Sequence, residues 1–524
     1  MPFAQLRYLQ LRLPHKFFQG PSMEVQHSPR RQEKHPTHRD LRDWLEGVDS
    51  LGELKTIRGA HWDLEVGGLA EIVSREASGE APAMLFDEII GFPAGYRVLF
   101  GQLDSVRRLA LTLQLSLDEP SKAACVRACR ERLRTMSLLP PTLLKAGKVQ
   151  ENTLRGDDID LYRFPLPRHH ELDGGRYFGT AHCVISQDPD TGWINLGTYR
   201  CMAMGKNTVG LHISPGRHGR IMREKYFEHG EPFKVAIAVG ADPALFLAST
   251  MAVPQGVSEY EFAGGLKGEP IEVVEAPYTK LPVPAHAEIV IEGECIPGVM
   301  QPEGPFGEWA GYYANCGLHP VAEPVVQIKS LLFRDRPILT CSQPARPPGY
   351  NFAFCVFRSA MIWDEMEKAG VPDVRGVWCH EAGSSRLFNV IAIKQRYAGH
   401  ARQAGMIASQ CSSGVYVGRY TVVVDDDIDQ TNLGDVVWAM STRADPQRSI
   451  EIIRRCRSSS ADPAASPDDK GSQTNPAAVF TSKAVIDACW PYEWKDRVYP
   501  VVEISAALRA QLLSKWSGEL QDVL

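Results

Sequence analysis

The stretch Lys234-Val-Ala-Ile-Ala-Val239 determines how the middle of this chain folds, because short β-branched runs of this kind form buried strands. Three comparable runs lie on either side of it, at 181–186, 287–291 and 325–330. Glycine and proline separate these runs, which is typical of the turns between the short strands of a barrel or sandwich. The sequence therefore predicts a β-rich central region between about residues 177 and 330.

Patterns of helix and strand alternate on both sides of this region. Leu41, Leu45 and Val48 recur at helical spacing, whereas Tyr420–Val424 is a buried-strand run. Near the C-terminus, Leu508, Leu512 and Leu513 mark a helix over about 505–518 that either caps its own domain or packs on a partner chain. We predict a disordered basic leader (1–39), an N-terminal α/β domain (40–120), a connection plus cofactor barrel (121–330), a C-terminal α/β domain (331–500) and a terminal helix (501–524).

Length and composition exclude several classes of protein. The 524 residues correspond to about three domains, and 44% hydrophobic with 23% charged residues is ordinary globular composition. The net charge of −6 argues against a nucleic-acid binder. No apolar run is long enough to span a membrane as a helix. The twelve cysteines are scattered without a CxxC pair, which predicts reduced thiols in the cytoplasm.

Charge is distributed unevenly along the chain. Residues 1–39 carry seven basic and two acidic side chains, a net of +5, so the remainder carries −11. We interpret this leader as a disordered tail, or as an over-long start with Met23 as the true initiator, and not as a targeting signal. Residues 457–477 are rich in Ser, Ala, Asp, Pro and Gly, which predicts a flexible loop.

Two carboxylates lie close together in the segment Pro302-Glu-Gly-Pro-Phe-Gly-Glu308. Its glycines and prolines exclude a helix, and a rigid turn can direct both carboxylates into one pocket. Neighbouring carboxylates raise the pKa of one of them, which suits a proton donor near neutral pH. The alternative is a surface turn with solvated acids.

A second polar segment, Asn195-Leu-Gly-Thr-Tyr-Arg200, has a glycine through which a ligand could approach the backbone. Asn195 and His218, with one carboxylate added, would suit Mn²⁺ or Mg²⁺. That carboxylate could be Glu259 or Glu261, although a serine three residues before Glu261 has the spacing of a helix capping box.

Other motifs are weaker or absent. Asp425–Asp429 follows a predicted strand and could bind a cation or complement the dipole of a following helix. Cys125 and Cys129 lie one helical turn apart, and we expect them to pack in a core. The chain has no GxGxxG between strand and helix, no GxxxxGK[ST] and no HExxH, which argues against dehydrogenase, P-loop and zincin functions.

Taken together, these segments resemble the UbiD family of reversible decarboxylases over roughly residues 40–520. The motifs that carry the resemblance are NLGTYR (195–200), PGRHG (215–219), SEYEFAGGLKG (258–268), PEGPFGEWAGYY (302–313) and WAMSTR (438–443). The resemblance implies an α/β (α+β) multidomain fold. Its parts would be an N-terminal α/β domain, a central split β-barrel of flavin-reductase type, and a C-terminal α/β domain with an exchanged terminal helix.

The resemblance also implies roles for individual residues. Arg200, Glu303 and Glu308 match the catalytic positions, with Glu308 as proton donor. Asn195, His218 and Glu259 match the ligands of a divalent metal, Mn²⁺ or Mg²⁺, and this match selects Glu259 over Glu261. The implied contacts to prenylated FMN are Thr180, Gly197, Thr198, Arg200, Arg217, His218, Ser249 and Met251. Those to K⁺ are Trp193, Ala248, Ser249, Met251, Glu259 and Arg443.

Two departures from the family pattern concern the cofactor phosphate. Arg217 stands where relatives often carry a Gln before the metal-binding His. A phosphate-contacting Lys of some relatives falls near Ser413, which cannot supply that charge. Arg217 or Arg419 could compensate, and the contact stays unassigned at this point.

The implied reaction is non-oxidative, reversible decarboxylation of an aromatic or heteroaromatic acid, including phenolic or aryl-CoA acids, through a covalent adduct with prenylated FMN. A separate flavin prenyltransferase would supply the cofactor, CO₂ would be a product, and the enzyme would be a homodimer or homohexamer. The stretch 344–350 is expected to shape the pocket. The alternative is a split-barrel flavin oxidoreductase that uses NAD(P)H.

Overall fold

The computed structural model describes residues 37–178, 180–314, 317–466 and 479–520. Its N-terminal part holds a four-stranded sheet in the order β1-β2-β3-β16, in which β16 comes from much later in the chain. The elements are α1 (Leu41–Ser50), β1 (Leu54–Arg58), α2 (Glu65–Glu76), β2 (Ala83–Asp87), β3 (Arg97–Phe100), α3 (Val106–Leu113), α4 (Lys122–Thr135) and β16 (Ile338–Cys341).

Helix α1 begins where the sequence pattern predicts. The Asp40 carboxylate caps it by accepting the backbone N–H groups of Arg42 and Asp43 at 2.9 and 3.0 Å. His38, two residues earlier, is only 3% exposed and lies 3.5 Å from Asp242. The described fold therefore includes the last residues of the predicted leader, whose residues 1–36 lie outside the described part of the chain.

The central part is built around a nine-stranded sheet that curls as a half-barrel. Its order is β6-β9-β10-β15-β14-β11-β7-β8, with β5 added at β15, and a small β13-β12-β4 sheet lies beside it. The strands are β4 (Thr142–Leu143), β5 (Asn152–Arg155), β6 (Arg176–Tyr177), β7 (His182–Gln187), β8 (Ile194–Gly197), β9 (Arg200–Gly205), β10 (Thr208–His212), β11 (Phe233–Val239), β12 (Glu272–Glu275), β13 (Pro282–Pro284), β14 (Ile289–Glu303) and β15 (Val321–Phe333).

The four strand runs predicted in this region are confirmed as parts of β7, β11, β14 and β15. Three helices interrupt them: α5 (His218–Glu228), α6 (Pro243–Thr250) and α7 (Glu259–Lys267). Ser258 caps α7 by accepting the N–H of Tyr260, as its type and position predict. Glu259, the first residue of α7, lies in the interior and is only 2% exposed.

The C-terminal part holds a five-stranded sheet in the order β17-β18-β19-β21-β20. Strands β18, β19 and β21 are parallel, and antiparallel strands close both edges. The elements are α8 (Phe352–Lys368), β17 (Val374–Cys379), β18 (Phe388–Ile393), α9 (His400–Gln410), α10 (Ser412–Val415), β19 (Tyr420–Asp425), α11 (Leu433–Arg443), α12 (Pro446–Ser449), β20 (Ile450–Arg457), β21 (Phe480–Asp487), α13 (Ala506–Lys515) and α14 (Ser517–Leu520).

Hydrophobic packing joins these parts. One core lies between the N-terminal sheet and the half-barrel, and another lies between α4, α8, α9 and the C-terminal sheet. Cys125 and Cys129 are fully buried in the second core, as predicted. The predicted α/β multidomain fold is confirmed. In the described part of the chain, no helix is long and apolar enough to cross a membrane.

Two predictions about the C-terminal part are wrong in detail. Residues 467–477 of the predicted flexible loop lie outside the described chain, but Ser458 and Asp462 are 7% and 0% exposed. Asp462 accepts two hydrogen bonds from Arg419 at 2.6 Å and one from Ser458, and these contacts order a segment of polar composition. The acids of Asp425–Asp429 do not start a helix, because α11 begins at Leu433 with Asn432 as its cap.

The C-terminal helix α13 forms as predicted, but it buries no residue within the single chain. Leu508 and Leu512 are 41% and 37% exposed, and Val502 before them is fully exposed. The helix therefore does not cap its own domain. The exchange of this helix with a second copy of the chain stays a prediction.

Candidate active site

Arg200 and two carboxylates meet on one face of the half-barrel. Arg200 begins β9 and Glu303 ends β14, and the Arg200 Nε donates to Glu303 Oε1 at 2.8 Å. Nη2 donates to the other oxygen of Glu303, while Nη1 lies 3.5 Å from Glu308 Oε1. The three residues predicted to be catalytic are thus brought together.

Arg200 and Glu303 meet across the sheet, because strands β10 and β15 separate β9 from β14. A Cβ on Gly210 of β10 would lie 2.2 Å from the Cε of Met204 and 3.3 Å from the Cγ of Glu303. A larger residue at Gly210 would therefore displace Met204 first and also press on Glu303. The Glu303 side chain is fully buried, and the Arg200 side chain is 9% exposed. Burial alone would lower the pKa of Arg200, but the Glu303 carboxylate raises it, so the guanidinium stays charged.

Glu308 lies in a turn after β14 that the backbone closes. Its N–H donates to the Tyr312 carbonyl at 2.9 Å, and its carbonyl accepts the Gly311 N–H at 2.8 Å. Gly311 has φ of +80°, and a Cβ there would lie 2.8 Å from the Cα of Arg346. The 344–350 stretch therefore packs directly on this turn.

Electrostatics differentiate the two carboxyl groups. Burial raises the pKa of Glu308 by more than the nearby Arg200 and His212 lower it. Glu303 instead receives two hydrogen bonds from Arg200. The raised pKa suits Glu308 to the role of a general acid, whereas Glu303 is engaged by Arg200.

Aromatic side chains form an apolar wall beside these charges. Tyr177 and Phe306 pack with ring centroids 3.9 Å apart, and the Tyr177 hydroxyl donates to Glu303 Oε1 at 3.4 Å. The Arg200 guanidinium lies 5.5 Å from the Phe306 ring centroid. An apolar surface thus lies next to the arginine.

Asn195 and Glu259 are in direct contact on the neighbouring part of the sheet. The Asn195 amide donates to Glu259 Oε1 at 2.9 Å, and the Leu196 N–H donates to Oε2 at 2.7 Å. The Tyr199 hydroxyl donates to Asn195 Oδ1 at 3.3 Å and accepts the N–H of Gly219 at 3.2 Å. Tyr199 thereby ties Asn195 to the start of α5, where His218 lies.

The donor set of Asn195, His218 and Glu259 fits a divalent cation. Burial raises the pKa of Glu259 to about 7, although the hydrogen bonds from Leu196 and Asn195 oppose it. No Lys, Arg or His in the described ranges forms an ion pair with this carboxylate, so a bound cation would relieve a buried lone charge. No set of three His, Cys, Asp or Glu is placed for metal binding in the same ranges, and this site needs the amide of Asn195 as its third donor.

The residues predicted to contact the cofactor line the same region. The hydroxyl of Thr198 is hydrogen-bonded to the hydroxyl of Ser249 at 2.9 Å, and the Thr198 N–H donates to the Ser249 carbonyl at 3.1 Å. Thr180 accepts the N–H of Ser342 at 2.7 Å. A Cβ on Gly197 would lie 2.2 Å from the Tyr199 ring, so only glycine fits there without moving that ring. These contacts connect β8 to the end of α6, where Met251 follows.

The structure brings together part of the predicted K⁺ set. Ala248, Ser249 and Met251 lie at the C-terminal end of α6, whose carbonyl groups favour a cation. Trp193 packs on His218 with ring centroids 5.0 Å apart. The guanidinium of Arg443 instead bonds Asp425 and Asp427 at the C-terminal sheet, and no described side-chain contact joins it to the others.

An arginine that the sequence analysis missed lies close to this site. Arg386 stacks on Trp309, the residue after Glu308, with its guanidinium carbon 4.9 Å from the ring centroid. Burial, together with the positive charges of Arg358 and Arg217, lowers the pKa of Arg386 to about 10, and no carboxylate in the described chain pairs with it. Arg419, one predicted substitute for the family lysine, is already paired with Asp462. No local motif marks Arg386, because only the fold places it beside Trp309.

Comparisons with known proteins agree with this geometry. Residues 45–124 match the N-terminal domain of 3-octaprenyl-4-hydroxybenzoate carboxy-lyase, residues 142–347 its Rift-related domain, and residues 352–488 its C-terminal domain. Together these matches cover most of the chain in the expected order.

Individual relatives are decarboxylases or UbiD-class enzymes. Pyrrole-2-carboxylic acid decarboxylase of Pseudomonas aeruginosa is 32% identical over 502 residues, which covers 91% of this chain and 97% of the relative. The UbiD-class enzyme HmfF of Pelotomaculum thermopropionicum, solved with FMN, has a TM-score of 0.79 at 28% identity. The match covers 91% of this chain and 100% of the HmfF chain. Vanillic acid decarboxylase of Sedimentibacter hydroxybenzoicus has a TM-score of 0.76 at 27% identity. The match covers 93% of this chain and 100% of the decarboxylase chain. The chain belongs to the UbiD family.

Proposed function

We propose that this chain catalyses the non-oxidative decarboxylation of an aromatic or heteroaromatic carboxylic acid, with Glu308 as proton donor. The observation that carries the proposal is the buried contact of Arg200 with Glu303 and Glu308 on one face of the half-barrel. Relatives whose names state a substrate act on pyrrole-2-carboxylate and vanillate, both flat ring acids. The Tyr177–Phe306 wall beside Arg200 suits a ring of that shape.

Arg200 would bind the substrate carboxylate. Glu303 uses the Nε and one N–H of Nη2. Nη1 also lies 3.5 Å from Glu308, so a substrate carboxylate would take the second N–H of Nη2 and share Nη1 with the Glu308 carboxyl group. A planar fork of this kind recognises a carboxylate through two parallel hydrogen bonds. Glu303 fixes the plane of the guanidinium and hence the orientation of the bound acid.

Glu308 would then donate a proton to the carbon that has lost CO₂. Burial raises its pKa, which favours the protonated form that a donor needs, and the closed turn 308–312 holds it 3.5 Å from Arg200. The apolar wall beside Arg200 would limit the access of water to the reacting carbon, which favours Glu308 as the source of the proton.

The residues present fit prenylated FMN with Mn²⁺ or Mg²⁺ and K⁺. The relatives solved with bound flavin hold FMN in one structure and prenylated FMN in another. When bound, prenylated FMN would supply the electron sink for the charge left by CO₂. Asn195, His218 and Glu259 would hold the divalent metal, the end of α6 would hold K⁺, and Arg386 with Arg217 would face the phosphate.

We infer that the working enzyme is a homo-oligomer in which α13 packs on a second copy. The apolar side chains Leu508 and Leu512 are uncovered in the single chain, and Val502 and Trp516 extend the same segment with 102% and 44% exposure. A second copy of the chain would cover this exposed apolar face of α13.

The decisive experiment is CO₂ release from the prenylated-FMN enzyme over benzoic, phenolic, heteroaromatic and acrylic acids. We expect at least one ring acid to release CO₂, Glu308→Gln to abolish release with flavin still bound, and Glu231→Gln, at an exposed position, to behave as wild type. Full activity of Glu308→Gln would refute the assignment of the donor. NAD(P)H oxidation without CO₂ release would instead support a flavin oxidoreductase.

A further inference from the structure

A buried aspartate holds the turn that carries Glu308. The Tyr313 hydroxyl, at the end of the 302–313 segment, donates to Asp173 Oδ1 at 2.8 Å. The other oxygen of Asp173 accepts the backbone N–H of His170 at 3.0 Å. The Asp173 side chain is fully buried. The mechanism proposed above gives this carboxylate no role.

Asp173 remains charged in this buried position. Burial would raise the pKa of Asp173, but hydrogen bonds from His170 and Tyr313 hold it below its usual value. Burial and the nearby Asp173 carboxylate raise the pKa of Tyr313, so the hydroxyl keeps the proton that it donates. Hydrogen bonds to a charged carboxylate are stronger than those between neutral groups. The contact is therefore suited to hold a segment in place.

Tyr313 is linked directly to the backbone around Glu308. The residue before it, Tyr312, accepts the Glu308 N–H through its carbonyl at 2.9 Å. The carbonyl of Glu308 accepts the Gly311 N–H at 2.8 Å, which closes the turn. Holding Tyr313 thus fixes the end of a turn that begins at Glu308, whose carboxyl group lies 3.5 Å from Arg200.

The loop of Asp173 also contacts the first half of the segment. The Gly174 N–H donates to the Pro305 carbonyl at 2.8 Å. A Cβ on Gly174 would lie 1.9 Å from the Gly304 carbonyl oxygen, so only glycine fits at this approach. The loop therefore holds both ends of 304–313, one through backbone contacts and the other through the Asp173 carboxylate.

Helix α2 anchors this loop to the N-terminal part of the chain. His170 Nε2 lies 3.2 Å from Glu71 Oε2 on that helix. The hydroxyl of Tyr350, in the stretch that packs on the turn, donates to the Ala70 carbonyl at 2.8 Å. The same helix thus supports two segments that contact the turn of Glu308.

We propose that Asp173 positions the proton donor: by holding Tyr313, it keeps the carboxyl group of Glu308 at the carbon that loses CO₂. This inference rests on the proposed function, with Glu308 as donor. In each turnover the C–C bond to CO₂ breaks, and the electron pair that it leaves forms a C–H bond with the Glu308 proton. Until that proton is transferred, CO₂ can add back and regenerate the acid. Asp173 contacts neither the substrate nor the reacting atoms, so it is a positioning residue.

The test compares Tyr313→Phe with Tyr278→Phe in the prenylated-FMN enzyme, with pyrrole-2-carboxylate or the best acid of the CO₂ screen. Tyr278→Phe is the matched control, since it also removes a hydroxyl that donates to a carboxylate, that of Glu294, at 2.7 Å. We expect Tyr313→Phe to lower kcat for net CO₂ release about 10- to 100-fold. KM should change little, because Arg200 and Glu303 still bind the acid.

A second assay separates protonation from the loss of CO₂. It follows exchange of the substrate carboxyl group with ¹³C-labelled bicarbonate, which needs the C–C bond to break and re-form but needs no proton from Glu308. In Tyr313→Phe this exchange should continue while net release falls. The Tyr278→Phe control should match the wild type in both assays.

A double-mutant cycle shows whether the hydrogen bond carries the effect. We expect Asp173→Ala to lose net CO₂ release in the same way, and the double variant with Tyr313→Phe to be no slower than Asp173→Ala alone. Losses that multiply would mean that the two side chains act independently, and the inference would be wrong. If Asp173→Ala does not fold, Tyr313→Phe decides alone, because it loses only one oxygen atom.

Other outcomes would also overturn the inference. A wild-type kcat for Tyr313→Phe, with Glu308→Gln inactive, would refute the role of Asp173 and leave the proposed function standing. Equal losses of exchange and net release would indicate a structural role and refute it too. An active Glu308→Gln would instead remove the proposed function itself.

Discussion

Removing one oxygen atom, in Tyr199→Phe, is expected to weaken metal binding without changing a metal ligand. The Tyr199 hydroxyl donates to Asn195 Oδ1 at 3.3 Å and accepts the Gly219 N–H at 3.2 Å. It is the link between the strand that carries Asn195 and the helix that begins with His218. The ring itself would stay in place, because it packs closely against Gly197 and Gly219.

The size of the effect follows from these two contacts. A net hydrogen bond contributes about 1 kcal/mol, and an unpaired buried group costs about 1–3 kcal/mol. Only the part of this cost that misorients Asn195 and His218 weakens the metal site, and groups that orient ligands typically change affinity by about 10- to 100-fold. We therefore expect Mn²⁺ affinity to fall about tenfold, which corresponds to about 1.4 kcal/mol.

Isothermal titration of Mn²⁺ into flavin-free protein measures this loss. The matched control is Tyr278→Phe. It removes a hydroxyl that donates to Glu294 at 2.7 Å and that lies away from the site. Asn195→Ala gives the effect of losing a ligand outright. If Tyr199→Phe binds Mn²⁺ as tightly as the wild type while Asn195→Ala does not bind it, the hydroxyl bridge does not position the ligands and the reasoning is wrong.

Three further outcomes are expected. Because burial raises the pKa of Glu308 and the donor must be protonated, kcat should fall as pH rises through that pKa, and a pH–rate profile that rises instead would contradict the assignment. Arg386→Gln should weaken flavin binding about 10-fold or more in a fluorescence titration, since it removes a cation that no carboxylate of the described chain pairs with. Arg402→Gln, on the exposed face of α9, should not weaken it. Replacing both Leu508 and Leu512 by Glu should convert the oligomer to monomer in light scattering, and an unchanged mass would exclude α13 from the interface.

Local sequence patterns predicted the parts of the fold that local physics determines. Leu41, Leu45 and Val48 lie on the buried face of α1, Ser258 caps α7, and the β-branched run at 234–239 lies in β11. The ordered segment around Asp462 was missed because its order comes from Arg419, which is 43 residues away in sequence. Composition describes what a segment could bury by itself, but not which distant partner it finds.

The candidate site also combines residues that a local motif identifies with residues that only the fold brings together. The two acids of 302–308 could be identified from sequence because glycine and proline force a turn within seven residues. His212 and Glu323 are 111 residues apart, and only the register of β10 against β15 sets them on one face with Arg200. The strand register, and not a local motif, therefore brings these two residues to the side of the sheet that carries Arg200.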